Sequence, residues 1–292
     1  MFNPYKIEGP ANIGYSGGRT SAYLLKKIVE AHDGVLPPDV HIGFCNTGKE
    51  REETLVFVEE CAKHFGVHIT WLEWCRVYGQ DKDAPWFKIV DFDTASRNGE
   101  PFDMMMDYYA EFRRVEKNEG PMMPSFANHA CTAYLKIKVA EKWMRSLGYD
   151  HWDAILGIRT DEPIRYHKMM RANEIGGQRW DNVCPLYSQN VTQDVVQEFW
   201  KKQPFDLGID SSLGNCDLCW KKSEANLVKT MMNEPDRAEW WIEKERQTGQ
   251  VFRRDIPSFK ALLWTSQQMK KQTSFDFSCM STQSYECSFC GD

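Results

Sequence analysis

Residues 16–21 read Ser16-Gly17-Gly18-Arg19-Thr20-Ser21. They follow a short extended-looking segment, Ala11 to Tyr15, and open a run from Ser21 to Val29 whose apolar residues recur at helical spacing. Strand, glycine turn and helix in that order make an anion-binding geometry. The first amides of a helix have no acceptor within it, the glycines let backbone approach a ligand, and the hydroxyls of Ser16, Thr20 and Ser21 offer further hydrogen bonds. Arg19 adds a forked cation. Taken alone, a Gly-Gly turn before a helix is also an ordinary tight turn with a cap, so the surrounding chain must decide.

The alternation continues. Asp39 to Cys45 reads as a second strand ending in the polar turn Asn46-Thr47-Gly48, a helix follows from about Glu52 to Phe65, and a third strand is expected at Val67 to Trp71. Such an order predicts an α/β fold: a mainly parallel, twisted sheet with right-handed crossovers and helices on both faces. From about Cys75 to Asn128 the pattern dissolves, apart from one helix through Met104 to Val115, and the segment reads as an insertion or lid. Regularity returns with a helix from Thr132 to Ser146, a strand at Asp153 to Gly157, another near Val183 to Tyr187, and a helix capped by Thr192 and running through Trp200. Beyond Leu213 come a CxxC pair, helices at Lys222 to Met232 and Pro235 to Gln247, and a polar tail that carries cysteines. The expected division is an α/β domain over 1–205, with its insertion at about 75–128, and a helical, Cys-bearing region over 206–292.

Hydrophobic residues at 42% and charged residues at 27% of 292 exclude a largely disordered chain. No apolar run approaches the roughly 18 residues of a membrane helix, and the N-terminus lacks an export signal, so a cytoplasmic protein away from membranes is expected. A net charge of -6 disfavours broad attraction to nucleic acid but leaves room for a local basic groove. A nucleic-acid substrate and a homo-oligomer are therefore both left open. Ten cysteines without an export signal point to metal or redox chemistry rather than a disulfide framework. Cys45, Cys61 and Cys75 lie in apolar or strand contexts and read as core.

The Ser16–Ser21 loop resembles the SGGxDS signature of the PP-loop (N-type) ATP pyrophosphatases, and the chain resembles the phosphoadenosine-phosphosulfate (PAPS) reductase-like branch of that adenine nucleotide alpha-hydrolase-like superfamily. Three further matches follow in order. Asn46-Thr47-Gly48 with Glu53-Thr54 is similar to the second-strand motif, Gly157-Ile158-Arg159 with Glu162 to the GIR motif, and Cys184-Pro185-Leu186 with Thr192 and Asp194-Val195 to the closing segment. The resemblance implies that an adenine nucleotide, either ATP or PAPS/APS, is held by Ser16 to Ser21, Asn46, Thr47, Gly48, Gly157 and Arg159. Arg159 is then catalytic, neutralising charge on the departing group. Thr20 replaces the usual aspartate and Arg19 the usual lysine, which weakens the case for magnesium-assisted cleavage of ATP.

Relatives that hold a 4Fe-4S cluster combine a late CxxC with a cysteine opening a mid-chain helix. The matching residues are Cys216, Cys219 and Cys131, with Cys290 of the tail as the fourth ligand; a structural zinc site is the alternative. The family's tail nucleophile corresponds loosely to Cys287 or Cys290, which would attack sulfur and be released by a thiol reductant or serve a sulfur donor. The resemblance thus implies sulfur transfer or reduction, or ATP-dependent adenylylation. A non-catalytic protein that binds nucleotide and zinc is the reading from another class.

Overall fold

The computed structural model describes residues 3–210, 213, 214 and 216–279, with residues 273–279 as backbone only. They form two compact units, Met1–Asp217 and Leu218–Asp292.

The first unit is built on one sheet of six strands: β1 (Ala11–Tyr15), β2 (Val40–Cys45), β3 (Thr70–Trp74), β4 (Phe87–Val90), β5 (Trp152–Ile155) and β6 (Trp180–Val183). Their spatial order is β4-β3-β2-β1-β5-β6, and every pair is parallel except β3–β4. The expected α/β fold with a mainly parallel sheet is the one found. The helices of this unit are α1 (Arg19–Ala31), α2 (Glu52–Phe65), α3 (Glu100–Phe112), α4 (Val139–Ser146), α5 (Pro163–Ile175), α6 (Pro185–Ser188) and α7 (Gln193–Trp200).

Alternation along β2 shows how both faces are covered. Phe44 packs against the Gly17 turn and Trp71 on the face where Val58 of α2 lies. The next position back, Gly43, points to the other face, where Trp143 of α4 lies so close that an added Cβ would come within 2.8 Å of its ring. Successive strand residues face opposite ways, so one strand needs a large apolar residue for one helix layer and no side chain at all for the other. The core gathers Ile13, Leu24, Leu25, Ile28, Phe44, Leu55, Phe57 and Val58, all nearly inaccessible to solvent.

Several boundaries differ from the sequence expectation. The third strand runs Thr70–Trp74 rather than Val67 to Trp71, because Gly66 closes α2 in the left-handed conformation and the next residues are used in leaving the helix. The insertion contains an unforeseen strand, β4, whose half-exposed Phe87-Lys88-Ile89-Val90 pairs antiparallel with β3 at the sheet edge. The expected helix from Thr132 begins as a π-helix, Cys131–Lys138, before α4. The strand expected near Val183 to Tyr187 ends at Val183, because Cys184-Pro185 turns the chain into α6. Helix α5 was not foreseen, and its lack of any buried residue explains why no apolar period marks it.

The division between units falls at Asp217, later than the expected 205/206. The reason is local pairing: Asp217 N–H donates to Lys49 O at 2.8 Å, Cys216 forms an antiparallel bridge with Glu50, and Lys49 and Asp217 make a buried ion pair at 3.2 Å. The second unit holds α8 (Glu224–Asn233), α9 (Ala238–Thr248) and α10 (Phe259–Cys279) around Trp220, Leu227, Met231, Trp241, Phe252 and Phe259. Trp241 stacks on Phe259, and Glu245 accepts the backbone N–H groups of Phe252 and Phe259. Trp241 is thus part of the core of this unit.

The Gly43–Trp143 contact generates a prediction. Gly43→Ala should destabilise the protein by about 1–3 kcal/mol through overpacking, measured by urea unfolding; a change below about 0.5 kcal/mol would remove the close packing of α4 on β2.

Candidate functional site

Among the parallel strands, β2 and β3 extend from one side of β1 while β5 and β6 extend from the other. The carboxyl ends of β1 and β5 therefore flank the point where the winding of the sheet reverses, the place where open α/β sheets bind ligands. All four segments singled out in the sequence leave the same edge: Ser16 follows β1, Asn46 follows β2, Gly157 lies just past β5, and Cys184 follows β6.

The Ser16–Ser21 junction is shaped from within. Gly17 has φ +74°, and a Cβ there would meet Thr54 at 2.7 Å and Phe44 and Val58 at 3.2 Å, so this position requires glycine. Ser21 Oγ donates to Gly18 O at 2.9 Å and accepts from Ser16 N–H at 3.2 Å, which closes the loop on itself. With that proton spent, the 3.0 Å contact between Ser16 Oγ and Ser21 Oγ has Ser16 as donor. The expectation that the Ser21 hydroxyl donates to a ligand is corrected by this arrangement. Helical bonding begins with Ala22 N–H to Gly18 O, leaving the amides of Arg19, Thr20 and Ser21 without an intrahelical acceptor. Ser16 is exposed and Gly18, Arg19 and Thr20 are half-buried, so the junction is open.

Arg159 reaches this junction from the end of β5. Its Nη1 donates to Thr20 Oγ1 at 3.1 Å, and the backbone beside it approaches closely, since a Cβ on Gly157 would lie 3.4 Å from Ser21 Cα. Because Thr20 accepts from Arg159, its own hydroxyl proton is left to donate outward. The guanidinium is held from behind: Asp161 takes Nε at 2.9 Å and Nη2 at 3.1 Å, and Glu162 accepts the Arg159 N–H at 3.2 Å. These hydrogen bonds hold the Asp161 carboxyl below its usual range. The closing segment ties in as well, with Thr160 N–H to Val191 O at 2.9 Å and Trp200 Nε1–H to Arg19 O at 2.9 Å.

Other expected contacts go elsewhere. The Arg19 fork is engaged by Asp206, with Nε to Oδ1 at 2.6 Å, and by Ile209 O at 2.8 Å. Its side chain ties residues 206–209 to the loop. Asn46 and Thr47 are almost fully buried. Asn46 donates to Glu73 Oε1 at 2.6 Å and Ser96 O at 2.8 Å, while Thr47 donates both its N–H and its hydroxyl to Glu50 Oε2 at 2.8 Å. Their side chains hold the second turn together. Gly48, at φ +76°, is required by Gly99 and Pro101, which a Cβ would meet at 3.0 and 2.9 Å. Glu73 was missed by the sequence reading. It is fully buried and accepts from Asn46, from the Ser96 N–H and hydroxyl at 2.7 Å, and from Lys88 at 3.0 Å. The only sequence signal for it is a carboxylate inside the apolar strand Trp71-Leu72-Glu73-Trp74.

The cysteines divide into kinds. Burial pushes the thiols of Cys45 and Cys61 up to about 12 and that of Cys184 up to about 11, so they are protonated; Cys61 and Cys184 are buried, and Cys45 is half-buried. Cys216 sits against the second turn, its Sγ 3.5 Å from Thr47 Oγ1. Cys131 opens the π-helix of the first unit, and Cys219 belongs to the second unit. Among the described residues, no three His, Cys, Asp or Glu side chains gather as a metal site requires. Cys279, Cys287 and Cys290, and with them the expected fourth ligand beside Cys131, Cys216 and Cys219, lie outside the described side chains. Among the described residues, no helix is long and apolar enough to cross a membrane.

No family model matches the chain. It is 30% identical over 214 residues to the uncharacterized nin region protein ORF290 of Escherichia phage lambda, a match covering 72% of this chain and 66% of that protein. It is 31% identical over 93 residues to the uncharacterized protein MJ0066 of Methanocaldococcus jannaschii, covering 32% of this chain and 17% of that one. The chain thus spans just under two thirds of the phage protein's length and a sixth of the archaeal one's. Similar solved structures include a PAPS reductase from Candida auris in a phosphate complex (12% identity, 69% of this chain and 79% of that one, TM-score 0.37). Others are the U34-tRNA thiolase NcsA from Methanococcus maripaludis with its [4Fe-4S] cluster (13%, 97% and 76%, 0.41) and an NH3-dependent NAD synthetase from Campylobacter jejuni (11%, 95% and 88%, 0.34). At such distances these three carry no substrate or reaction over to this chain.

Two predictions follow from the site's construction. Glu73→Ala should lower stability by about 3 kcal/mol in urea unfolding, because it strands the buried donors of Asn46 and Ser96; a loss below about 1 kcal/mol would show that the second turn does not depend on this carboxylate. In native protein at pH 8, iodoacetamide should leave Cys45, Cys61 and Cys184 unmodified by mass spectrometry, since thiols with raised pKa values supply almost no thiolate there; rapid labelling of any of the three would contradict its burial.

Proposed function

We propose that this chain is an adenine-nucleotide-dependent enzyme of the PP-loop, PAPS reductase-like kind, acting on the phosphates of ATP at the Ser16–Ser21 junction. The observation that carries the reading is the 3.1 Å hydrogen bond from Arg159 to Thr20, which joins the arginine past β5 to the phosphate-type loop past β1. A row of helix-start amides, an outward hydroxyl on Thr20 and a fixed guanidinium then converge on one open spot, a donor set suited to an oxyanion.

The reaction supported best is substitution at the α-phosphorus of ATP. An acceptor oxygen forms a bond to that phosphorus, the bond to the β-phosphate oxygen breaks, and pyrophosphate leaves with the electron pair. Arg159 and the loop amides stabilise the charge that develops there, and Asp161 and Glu162 keep Arg159 aimed without a change of rotamer. Water as acceptor yields AMP and pyrophosphate; a larger acceptor becomes adenylylated and open to a nitrogen or sulfur nucleophile. Reduction of an adenylylated sulfate is the second chemistry implied by the resemblance, but its nucleophile would be Cys287 or Cys290. Adenylyl transfer is preferred because every group it requires lies among the described residues.

No step is assigned to a metal. The loop has Thr20 where an aspartate is usual and carries no acid of its own. Cys216 against the second turn is the feature that keeps a thiol near the nucleotide edge.

Protein purified without oxygen and given ATP should form AMP and pyrophosphate, and Arg159→Ala should slow that release on the order of 10²–10³-fold with little loss of stability. ATP binding without either product would favour a non-catalytic binding protein instead. An Arg159→Ala variant of undiminished rate would sink the proposed role.

A further inference from the structure

We infer that α5 is a docking face for the phosphodiester backbone of a nucleic acid, which would make a nucleic acid the acceptor in the reaction proposed above; the inference rests on that reading. Helix α5 starts four residues after Arg159, and none of its 13 residues is buried. It is nevertheless fixed in place. Tyr166 stacks on Tyr187 with ring centroids 3.6 Å apart, and Asn173 donates to Asn182 O at 3.0 Å and accepts the Asn182 N–H at 2.8 Å.

Positions 164, 168, 171 and 175 share the opposite stripe of the helix by their spacing, and all four are exposed. Lys168 and Arg171 occupy its middle, and neither forms an ion pair among the described residues. Arg165 and His167 border the stripe, with Arg165 held by Glu162 at 2.6 Å, and Glu174 is the acid at its edge. A fixed helix that leaves adjacent cations unneutralised in a chain of net charge -6 is complementary to a polyanion.

The stripe is less suited to a protein partner. Its apolar members, Ile164 (87% exposed) and Ile175 (73%), stand at opposite ends of the helix, about 16 Å apart along the axis at 1.5 Å per residue. A protein-docking patch needs contiguous apolar surface, and the continuous feature between these ends is positive charge. Glu162 couples the two sites. It accepts from both Arg159 and Arg165, so an anion on the helix lies one carboxylate away from the nucleotide junction.

Fluorescence anisotropy across a salt series, with a labelled RNA hairpin and a DNA duplex of matched length, tests the inference and distinguishes the two nucleic acids. Wild type should bind at least one probe. The double variant Lys168→Glu, Arg171→Glu should bind about tenfold or more weakly, with the slope of log affinity against log salt reduced by about two. Its melting temperature and its release of AMP from ATP should match wild type, because these side chains make no ion pair among the described residues. No binding of either probe by wild type at low salt, or equal binding by the variant, overturns the proposal. So does self-association of wild type that the variant abolishes without any nucleic-acid binding, which would make the stripe an interface between copies. Loss of ATP cleavage in both proteins with oligonucleotide binding intact would refute the nucleotide reading alone and leave the docking face standing.

Discussion

The parallel pairing of β1 with β5, Ile13 opposite Ile155, is the contact on which the site depends. It places two segments far apart in sequence side by side, so that chain leaving β1 and chain leaving β5 emerge at one edge. Without it the Ser16–Ser21 loop would be an anion-binding turn with no second wall, and Arg159 a surface arginine. The pairing is possible because β1 is buried on both faces, and strands of that kind must have neighbours on either side.

Around this junction, residues expected to face a ligand and residues that build the frame change places. Arg19, Asn46, Thr47 and Ser21 all spend their polar atoms on protein partners. The physical reason is burial: a donor taken out of water needs an acceptor, and close to a sheet edge the nearest acceptors belong to the neighbouring turn. Thr20 and Arg159 differ because they lie where the loop is still open, and because Asp161 and Glu162 satisfy the arginine without covering it. Glu73 plays the same supporting part for the second turn, and its importance arises from being the one carboxylate at the centre of several buried donors.

The buried Lys49–Asp217 pair and the Glu50–Cys216 bridge extend that frame to residues beyond 213. They bring Cys216 to the second turn, its sulfur 3.5 Å from Thr47 Oγ1. Sequence spacing alone reads the pair as one chelating motif. The backbone of its first half also pairs with residues 49 and 50.

Much of the architecture was legible in the amino-acid order. Ala11–Tyr15 and Glu52–Phe65 have the bounds expected from periodicity, and the α/β alternation fixes a parallel sheet, because apolar strands separated by amphipathic helices have no other way to bury both faces. The four motifs were visible as glycine turns and polar clusters at strand ends. Other features had no local signal. β4 is a half-exposed edge strand, α5 has no apolar period, and the boundary at Asp217 is set by a long-range ion pair. Sequence by itself determined which segments repeat with a strand's or a helix's period, since that pattern records which side of each element avoids water. Only the tertiary structure decided which polar side chains remain available at the carboxyl edge of the sheet, because hydrogen-bond partners are chosen by proximity in space between residues as distant as Thr20 and Arg159.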